Sequence, residues 1–532
     1  MIRNPILPGF NPDPSICRVG EDYYIATSTF EWYPGVQIHH SRDLVNWTLV
    51  ARPLNRPDLL DMRGNPDSGG IWAPCLSYAD GLFWLVYTDV KRLEGSFKDA
   101  HNYITTCDRI DGDWSERIYV NSSGFDPSLF HDENGRKWFV NMQWNHRGTG
   151  TGRNPAHDAF DGILLQEWNP DAGLTGEITN IYPGTERGLT EAPHLFKRDG
   201  WYYLTTAEGG TGYEHAVTLA RSRDIRGPYE THPAAHVITT RDAPDHPIQR
   251  TGHGQYVETP DGAVYHTFLM GRPLPGRICP LGRETGIERC VWGADGWLYL
   301  EEGGTVPREE VPAPKGAERQ AAKPIIRDFA DGTLPDEFQW LRTPYPDRLF
   351  RVEPGSLILT GRESIGSWFE KSLVARRQEH HAYRAETTLD FAPEHYQQAA
   401  GLITYYNRYK FHAAFVTDDG AGVRVLQVLS CHDSYPGGAL KPLGPRAKLA
   451  EGPVQIAVEV DGLTQTFLYR QNDSAWQPLG APLDASPISD EGAPGEHQSF
   501  TGAFVGMVCF DTSGAGREAR FTRFAYAGQG AA

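Results

Sequence analysis

Residues 11–30, NPDPSICRVGEDYYIATSTF, hold an acidic residue, a short apolar strand, a turn at Glu21-Asp22 and a second strand that follows at once. Working outward, the same unit recurs four more times. Its turns are Asp80-Gly81, Asn134-Gly135, Asp199-Gly200 and Asp261-Gly262, and the strands after them read LFWLVYTD, RKWFVNMQW, WYYLTTAEG and AVYHTFLMG. Gly, Asn and Asp accept the backbone angles of tight turns, and Tyr, Trp, Phe, Val and Thr suit a pleated, half-buried surface. Eight positions before the turns stand Asp13, Trp72, Asp126, Glu191 and His253, so the units start 59, 54, 65 and 62 residues apart. A repeat of this length with room for four short strands predicts a β-propeller. Residues 1–305 are expected to form five blades, with the five in-phase side chains meeting at the axis. A sandwich or barrel with coincidental turns is the plainer alternative, and the fixed offset in all five units argues against it.

At 532 residues the chain is expected to hold two or three domains. Residues 306–322 lie in a stretch rich in Pro, Gly and charge and read as a linker. Beyond it, SLILTG, AYRAETTLDF, AGLITYYN and VQIAVEVDG alternate with period two, with turns every ten or so residues. That pattern predicts a second all-β domain, a β-sandwich, over 323–532. The tail segment SFTGAFVGMVCFD (499–511) is apolar enough for a buried strand or a loop packed on the first domain.

The net charge of −18 argues against a nucleic-acid or anionic-membrane partner. No run of 18 apolar residues exists, so no membrane span is expected. The seven cysteines are odd in number and follow no CxxC zinc spacing, and MIRNPILPGF lacks the apolar core of a signal peptide. Reduced thiols and a cytoplasmic location are the expectation.

Three carboxylates in one phase point to glycosidic bond hydrolysis. That reaction passes through an oxocarbenium-like transition state and needs two carboxyl groups in unlike protonation states. Asp13, in NPDPS, suits the base. Glu191, in LTEAPHL, stands among apolar neighbours that favour its protonated form, and a nearby ionised Asp raises its pKa further. Asp126, in FDPSLF, is the third member. Trp72, in IWAP, suits either a stacking wall for a sugar or a blade core. His253, in TGHGQ, suits a structural hydrogen-bonding role, or a carboxylate, water or metal on the axis.

Together NPILPGFNPDPSICRVGEDYYIATSTFEWYPGV, NPDSGGIWAPCLSY, NSSGFDPSLFHD, TEAPHLFK, CPLGRETGIER and FTGAFVGM resemble glycoside hydrolase family 43, in its β-xylosidase branch with a C-terminal concanavalin-like jelly-roll sandwich. The resemblance spans nearly the whole chain. It implies an inverting, exo-acting enzyme that releases xylose from the non-reducing end of β-1,4-xylo-oligosaccharides, with α-L-arabinofuranosidase activity as the alternative. It implies Asp13 as general base, Glu191 as general acid and Asp126 as the residue that tunes and positions that acid. Phe30, Trp72, Ala73 and Phe125 match walls around the terminal sugar, and Arg283 a cation that binds its hydroxyls and keeps Asp13 ionised. Trp144 and Phe500 match contacts to the next sugar. His253 matches an axial histidine that holds a hydrated calcium in some members and water in others, so no cofactor is required. A homodimer or homotetramer is implied as well. Two other readings fit less well. The fructan-cleaving propeller–sandwich families carry NDPNG and RDP motifs that are absent here, and a non-catalytic sugar-binding propeller has no need of three in-phase carboxylates.

Overall fold

The computed structural model describes residues 1–153, 157–314, 316–320, 323–432, 437–472, 474–492 and 499–529. Residues 315, 321 and 322 of the stretch read as linker, and the last three residues of the chain, lie outside the described residues. Among the described residues the structure is all-β, with a single 3₁₀ turn at Pro346–Arg348.

The first 300 residues build five separate antiparallel sheets. Sheet 1 runs Ser15–Val19, Asp22–Thr27, Gln37–Ser41 and Thr48–Ala51. Sheet 2 runs Gly70–Ala79, Leu82–Val90, Ala100–Cys107 and Ile118–Asn121. Sheet 3 runs Ser128–His131, Lys137–Trp144, Phe160–Asn169 and Gly173–Tyr182. Sheet 4 runs Glu191–Arg198, Trp201–Glu208, Ala216–Ser222 and Glu230–Ile238. In sheet 5, Gln249–Gly252 and Tyr256–Glu258 both pair with Val264–Gly271, followed by Glu284–Trp292 and Leu298–Leu300. Every turn read from the sequence closes the first hairpin of its sheet, for example Val19 opposite Asp22 and Arg198 opposite Trp201.

The first strands of sheets 1 to 4 touch in sequence, and sheet 4 meets sheet 5 through Ala216–Ser222 and Gln249–Gly252. Ser15–Val19 meets Gly70–Ala79, which meets Ser128–His131, which meets Glu191–Arg198, and Tyr256–Glu258 returns to Ser15–Val19. The N-terminal segment lies along the fifth sheet: Ile6 N–H donates to Thr285 O at 2.9 Å and Ile287 N–H to Asn4 Oδ1 at 2.9 Å. Glu310–Val311, inside the stretch read as linker, pairs with Ile2–Arg3, so this connection is pinned to the first residues of the chain.

Residues 325–528 form two larger antiparallel sheets, of nine and six strands. Their alternating apolar faces meet in one core that includes Leu357, Tyr383 and Ile456 from one sheet and Leu402, Val416 and Met507 from the other. Phe504–Asp511, the apolar tail segment, is an inner strand of the six-stranded sheet between Ser372–Arg377 and Gln398–Asn407. Its Phe504 stacks on Trp32 of the first region, with ring centroids 3.7 Å apart and 13° between planes. Trp340–Leu341 pairs with Trp32–Tyr33. The two regions therefore share apolar core as well as backbone hydrogen bonds, which fixes the edge of the second against one end of the first.

Candidate active site

At that edge lies a cavity of about 420 Å³. Asp13, Asp126, Glu191 and His253 all line it, each from a different sheet: Asp13 and Asp126 just before its first strand, Glu191 as the first residue of that strand, and His253 between the two short strands Gln249–Gly252 and Tyr256–Glu258. A repeated backbone feature aims them. Asp13, Asp126 and His253 have φ of 58°, 52° and 37°, and in sheets 2 and 4 the following residues, Ala73 and Ala192, have φ of 37° and 52°. Left-handed backbone is uncommon for residues other than glycine and clusters at functional sites. In sheets 2, 4 and 5 the pairing register also shifts at this point. Such bulges bend a strand and redirect its side chains. Here the bend also frees two amides: Ala192 N–H donates to Asp126 Oδ2 at 3.1 Å, and Ala73 N–H to Ser28 Oγ at 2.7 Å.

Ser28 Oγ in turn donates to Asp13 Oδ2 at 2.6 Å, while Arg283 Nη1 donates to Asp13 Oδ1 at 3.1 Å and His253 Nδ1 lies 3.5 Å from the same oxygen. Burial pushes the Asp13 carboxyl up, but Arg283, then His253 and the Ser28 hydrogen bond outweigh it and hold the group below its ordinary value. Glu191 behaves oppositely. Burial, and then the charge of Asp13, push it up to about 8, against weaker opposing pulls from Arg283 and Lys98. Asp126 is pushed well above its ordinary value by burial, then by Glu191 and Asp13. The surroundings thus favour the ionised form of Asp13 and the protonated form of Glu191, and after burial the charge that raises Glu191 is that of Asp13.

The walls are aromatic. Trp72 sits centrally, with ring centroids 5.8 Å from Phe30, 5.3 Å from Phe125 and 5.9 Å from Phe500. Trp144 packs on Phe125 at 5.9 Å. Arg283 lies over Phe30 and Phe500, at 5.1 and 5.5 Å, and its Nη2 donates to Phe500 O at 2.9 Å. Phe500 is the contribution of the second region to the pocket. Ala73 is not among the lining residues; its amide acts one step behind them, through Ser28 on Asp13.

The sequence reading did not include Ser28, Lys98 or the loop Leu93–Gly95, all of which bear on the pocket. Lys98 Nζ stands 4.3 Å from the Trp144 ring, 5.3 Å from Trp72 and 5.5 Å from Phe125, and donates to Leu93 O at 2.6 Å. Burial lowers it to about 8, against the pull of Glu94, Glu191 and Asp126. A signal existed: the nine residues between Val90 and Ala100 connect two strands at the same end of the sheet as Trp72, and they carry two lysines and a glutamate.

No group of three or more His, Cys, Asp or Glu side chains among the described residues is arranged to hold a metal. Around His253 stand Asp13, Arg283, His215 and the ring of His194, the last 6.4 Å away between centroids. Calcium takes six to eight oxygens, and these residues do not supply such a cage; a calcium ion here would be held through water.

Carboxyls set towards opposite protonation states in one sugar-sized aromatic pocket meet the requirement of a glycoside hydrolase. The family model "Glycosyl hydrolases family 43" matches residues 2–298, and "Beta xylosidase C-terminal Concanavalin A-like domain" matches 327–527. The chain is 56% identical to "Xylosidase/arabinosidase 43B" of Humicola insolens, covering 99% of this chain and 97% of that one. It is 47% identical to "Beta-xylosidase" of Bacillus subtilis (strain 168), covering 99% of each. Among solved structures, xylan beta-1,4-xylosidase from Bacillus halodurans C-125 superposes with a TM-score of 0.94 at 48% identity, covering 99% of this chain and 100% of that one. The chain belongs to glycosyl hydrolase family 43.

Proposed function

We propose that the protein is an inverting, exo-acting β-xylosidase that releases xylose from the non-reducing end of β-1,4-xylo-oligosaccharides. The observation that carries this reading is the opposite electrostatic setting of two buried carboxyls in one pocket, with Asp13 held ionised by Arg283 and Glu191 held protonated to about 8. Glu191 donates its proton to the bridging oxygen while Asp13 takes one from a water attacking the opposite face of the ring. Asp126, which accepts the Ala192 amide, holds the backbone beside Glu191. Arg283 binds sugar hydroxyls and keeps Asp13 charged. Phe30, Trp72 and Phe125 enclose the terminal sugar, and Trp144 and Phe500 face the next one.

In this reading the five sheets are blades of a closed five-bladed propeller over 1–305, joined through 306–322 to a sandwich over 323–532 that caps the pocket. The contact of Tyr256–Glu258 with Ser15–Val19 supports the closure, and Phe500 supports the cap. A capped pocket admits a chain end, which favours exo cleavage. Calcium is not required for the acid–base pair, since the charge that sets Asp13 comes from Arg283. All seven cysteines are buried thiols, in keeping with a reducing, cytoplasmic location. The expected assembly is a homodimer or homotetramer.

α-L-Arabinofuranosidase activity is the second reading, favoured by the double name of the Humicola relative. Proton NMR of the first sugar released from xylobiose tests the main reading: initial α-xylose is expected. Initial β-xylose means a retaining reaction and removes the base role from Asp13, and no release from xylobiose removes the substrate.

A further inference from the structure

Asp67 and Ser68 sit in the turn that leads into Gly70–Ala79, the strand that carries Trp72. Neither lines the pocket, and each is only 1% exposed. Three hydrogen bonds of Ser68 lead towards the pocket. Its N–H donates to Glu31 Oε2 at 3.0 Å, its carbonyl accepts Trp72 Nε1–H at 2.9 Å, and its hydroxyl accepts Phe500 N–H at 3.0 Å. Glu31 follows Phe30 in the chain, so this one residue ties together three walls of the pocket. Ser68 has φ of +62°. A non-glycine residue keeps that conformation only where its surroundings over-determine it.

What surrounds it is charge supplied by the second region. Arg342 Nη2 donates to Asp67 Oδ1 at 2.7 Å, and Arg408 Nε lies 3.2 Å from Asp67 Oδ2. Arg342 also donates through Nε to Asn65 O at 2.8 Å and through its backbone N–H to Glu31 O at 2.9 Å. Its own φ is +62°. The Arg342–Asp67 pair is fully buried, and buried ion pairs are a poor device for stability alone, since well-packed apolar side chains do as well, and their better-attested use is to fix one arrangement among several. The arrangement fixed here is the spacing of Trp72 and Phe500, which come from opposite ends of the chain.

We propose that Asp67, held by Arg342 and Arg408, is a positioning residue for the leaving-sugar side of the pocket and acts through Ser68 on Trp72 and Phe500. The proposal rests on the xylosidase reading of the pocket. It makes the second region a determinant of substrate grip as well as a cap.

The test uses the full chain and two variants. Asp67→Asn keeps the shape and removes the charge. Ser68→Gly removes the hydroxyl, leaves every buried charge paired and relaxes the backbone. Wild-type cleavage of xylobiose is measured first; if it is absent, the functional reading fails and amide exchange alone decides the positioning. In Asp67→Asn, KM for xylobiose is expected to rise about ten-fold, with a smaller change in kcat. Hydrogen exchange of the peptide that contains the Phe500 amide should quicken without substrate. Ser68→Gly should move both readouts in the same direction. A folded Asp67→Asn with wild-type KM for xylobiose, or with wild-type exchange at Phe500, overturns the proposal. If Asp67→Asn does not fold, a Ser68→Gly variant with both readouts unchanged overturns it as well.

Discussion

Asp13 and Arg283 stand 270 positions apart in the chain and meet in an ion pair of 3.1 Å inside the pocket, each about 4% exposed. The pair joins the first sheet to the fifth. It also sets the chemistry, because the guanidinium is the leading influence that opposes the burial of Asp13.

Removing that guanidinium has a predictable sign. In Arg283→Ala the leading influence against burial is gone and only His253, the Ser28 hydrogen bond and His215 oppose it, so the Asp13 pKa rises. A base works only when ionised, so the acidic limb of the kcat/KM profile should move to higher pH, with activity lower throughout by about 10²-fold or more. A profile that keeps its acidic limb while falling in height would place some other group as the base.

Glu191→Ala removes the proton donor and leaves the base intact. Poor leaving groups need protonation and good ones do not, so xylobiose turnover should fall by at least about ten-fold more than turnover of an activated aryl xyloside. Equal losses on the two substrates would end the acid assignment.

Lys98 stands among Trp72, Phe125 and Trp144 and pulls the Glu191 pKa down. Lys98→Met should therefore let Glu191 rise above about 8, and the alkaline limb, where the acid loses its proton, should move to higher pH. Lys98 itself titrates at about 8. If the alkaline limb in fact reports the lysine, it disappears in the variant instead of moving, and the measured profile separates the two cases.

The carboxylates were legible in the sequence because a backbone repeat places them. Asp13, Asp126 and Glu191 stand eight residues before a turn, and the structure places a residue in left-handed backbone at or next to that phase in every sheet, at Asp13, Ala73, Asp126, Ala192 and His253. The alternation of VQIAVEVDG marked the strand Val454–Asp461, whose burial alternates towards its ends, whereas SLILTG also forms a strand, Ser356–Thr360, with its first four residues all buried, so both of its faces pack. Ser28 was not legible, and Lys98 only as one of the charges in the connection between Val90 and Ala100. Neither shares the repeat phase, and each acts through a contact that depends on how sheets and loops pack. The network of Asp67 with Arg342 and Arg408 was hidden for a stronger reason: its partners are about 275 residues or more distant, and no local pattern distinguishes a buried arginine from an exposed one.

Close backbone approach gives the last prediction. Gly282, next to Arg283, has φ of +68°, and a Cβ placed on it would stand 2.0 Å from Thr501 O and 2.8 Å from Gly502 Cα. Both obstacles are backbone, so the segment carrying Phe500 has to move. Gly282→Ala should loosen the Arg283–Phe500 carbonyl contact, raise KM for xylobiose several-fold and lower stability by about 2–5 kcal/mol, from left-handed strain plus overpacking. Gly262 is the control. Its φ is +84° and a Cβ there meets nothing within 4 Å, so Gly262→Ala carries the strain without the clash. It should lower stability by about 1–3 kcal/mol and leave KM in place. If the two variants show the same KM, the close packing of the 500 segment against Gly282 has no part in shaping the pocket.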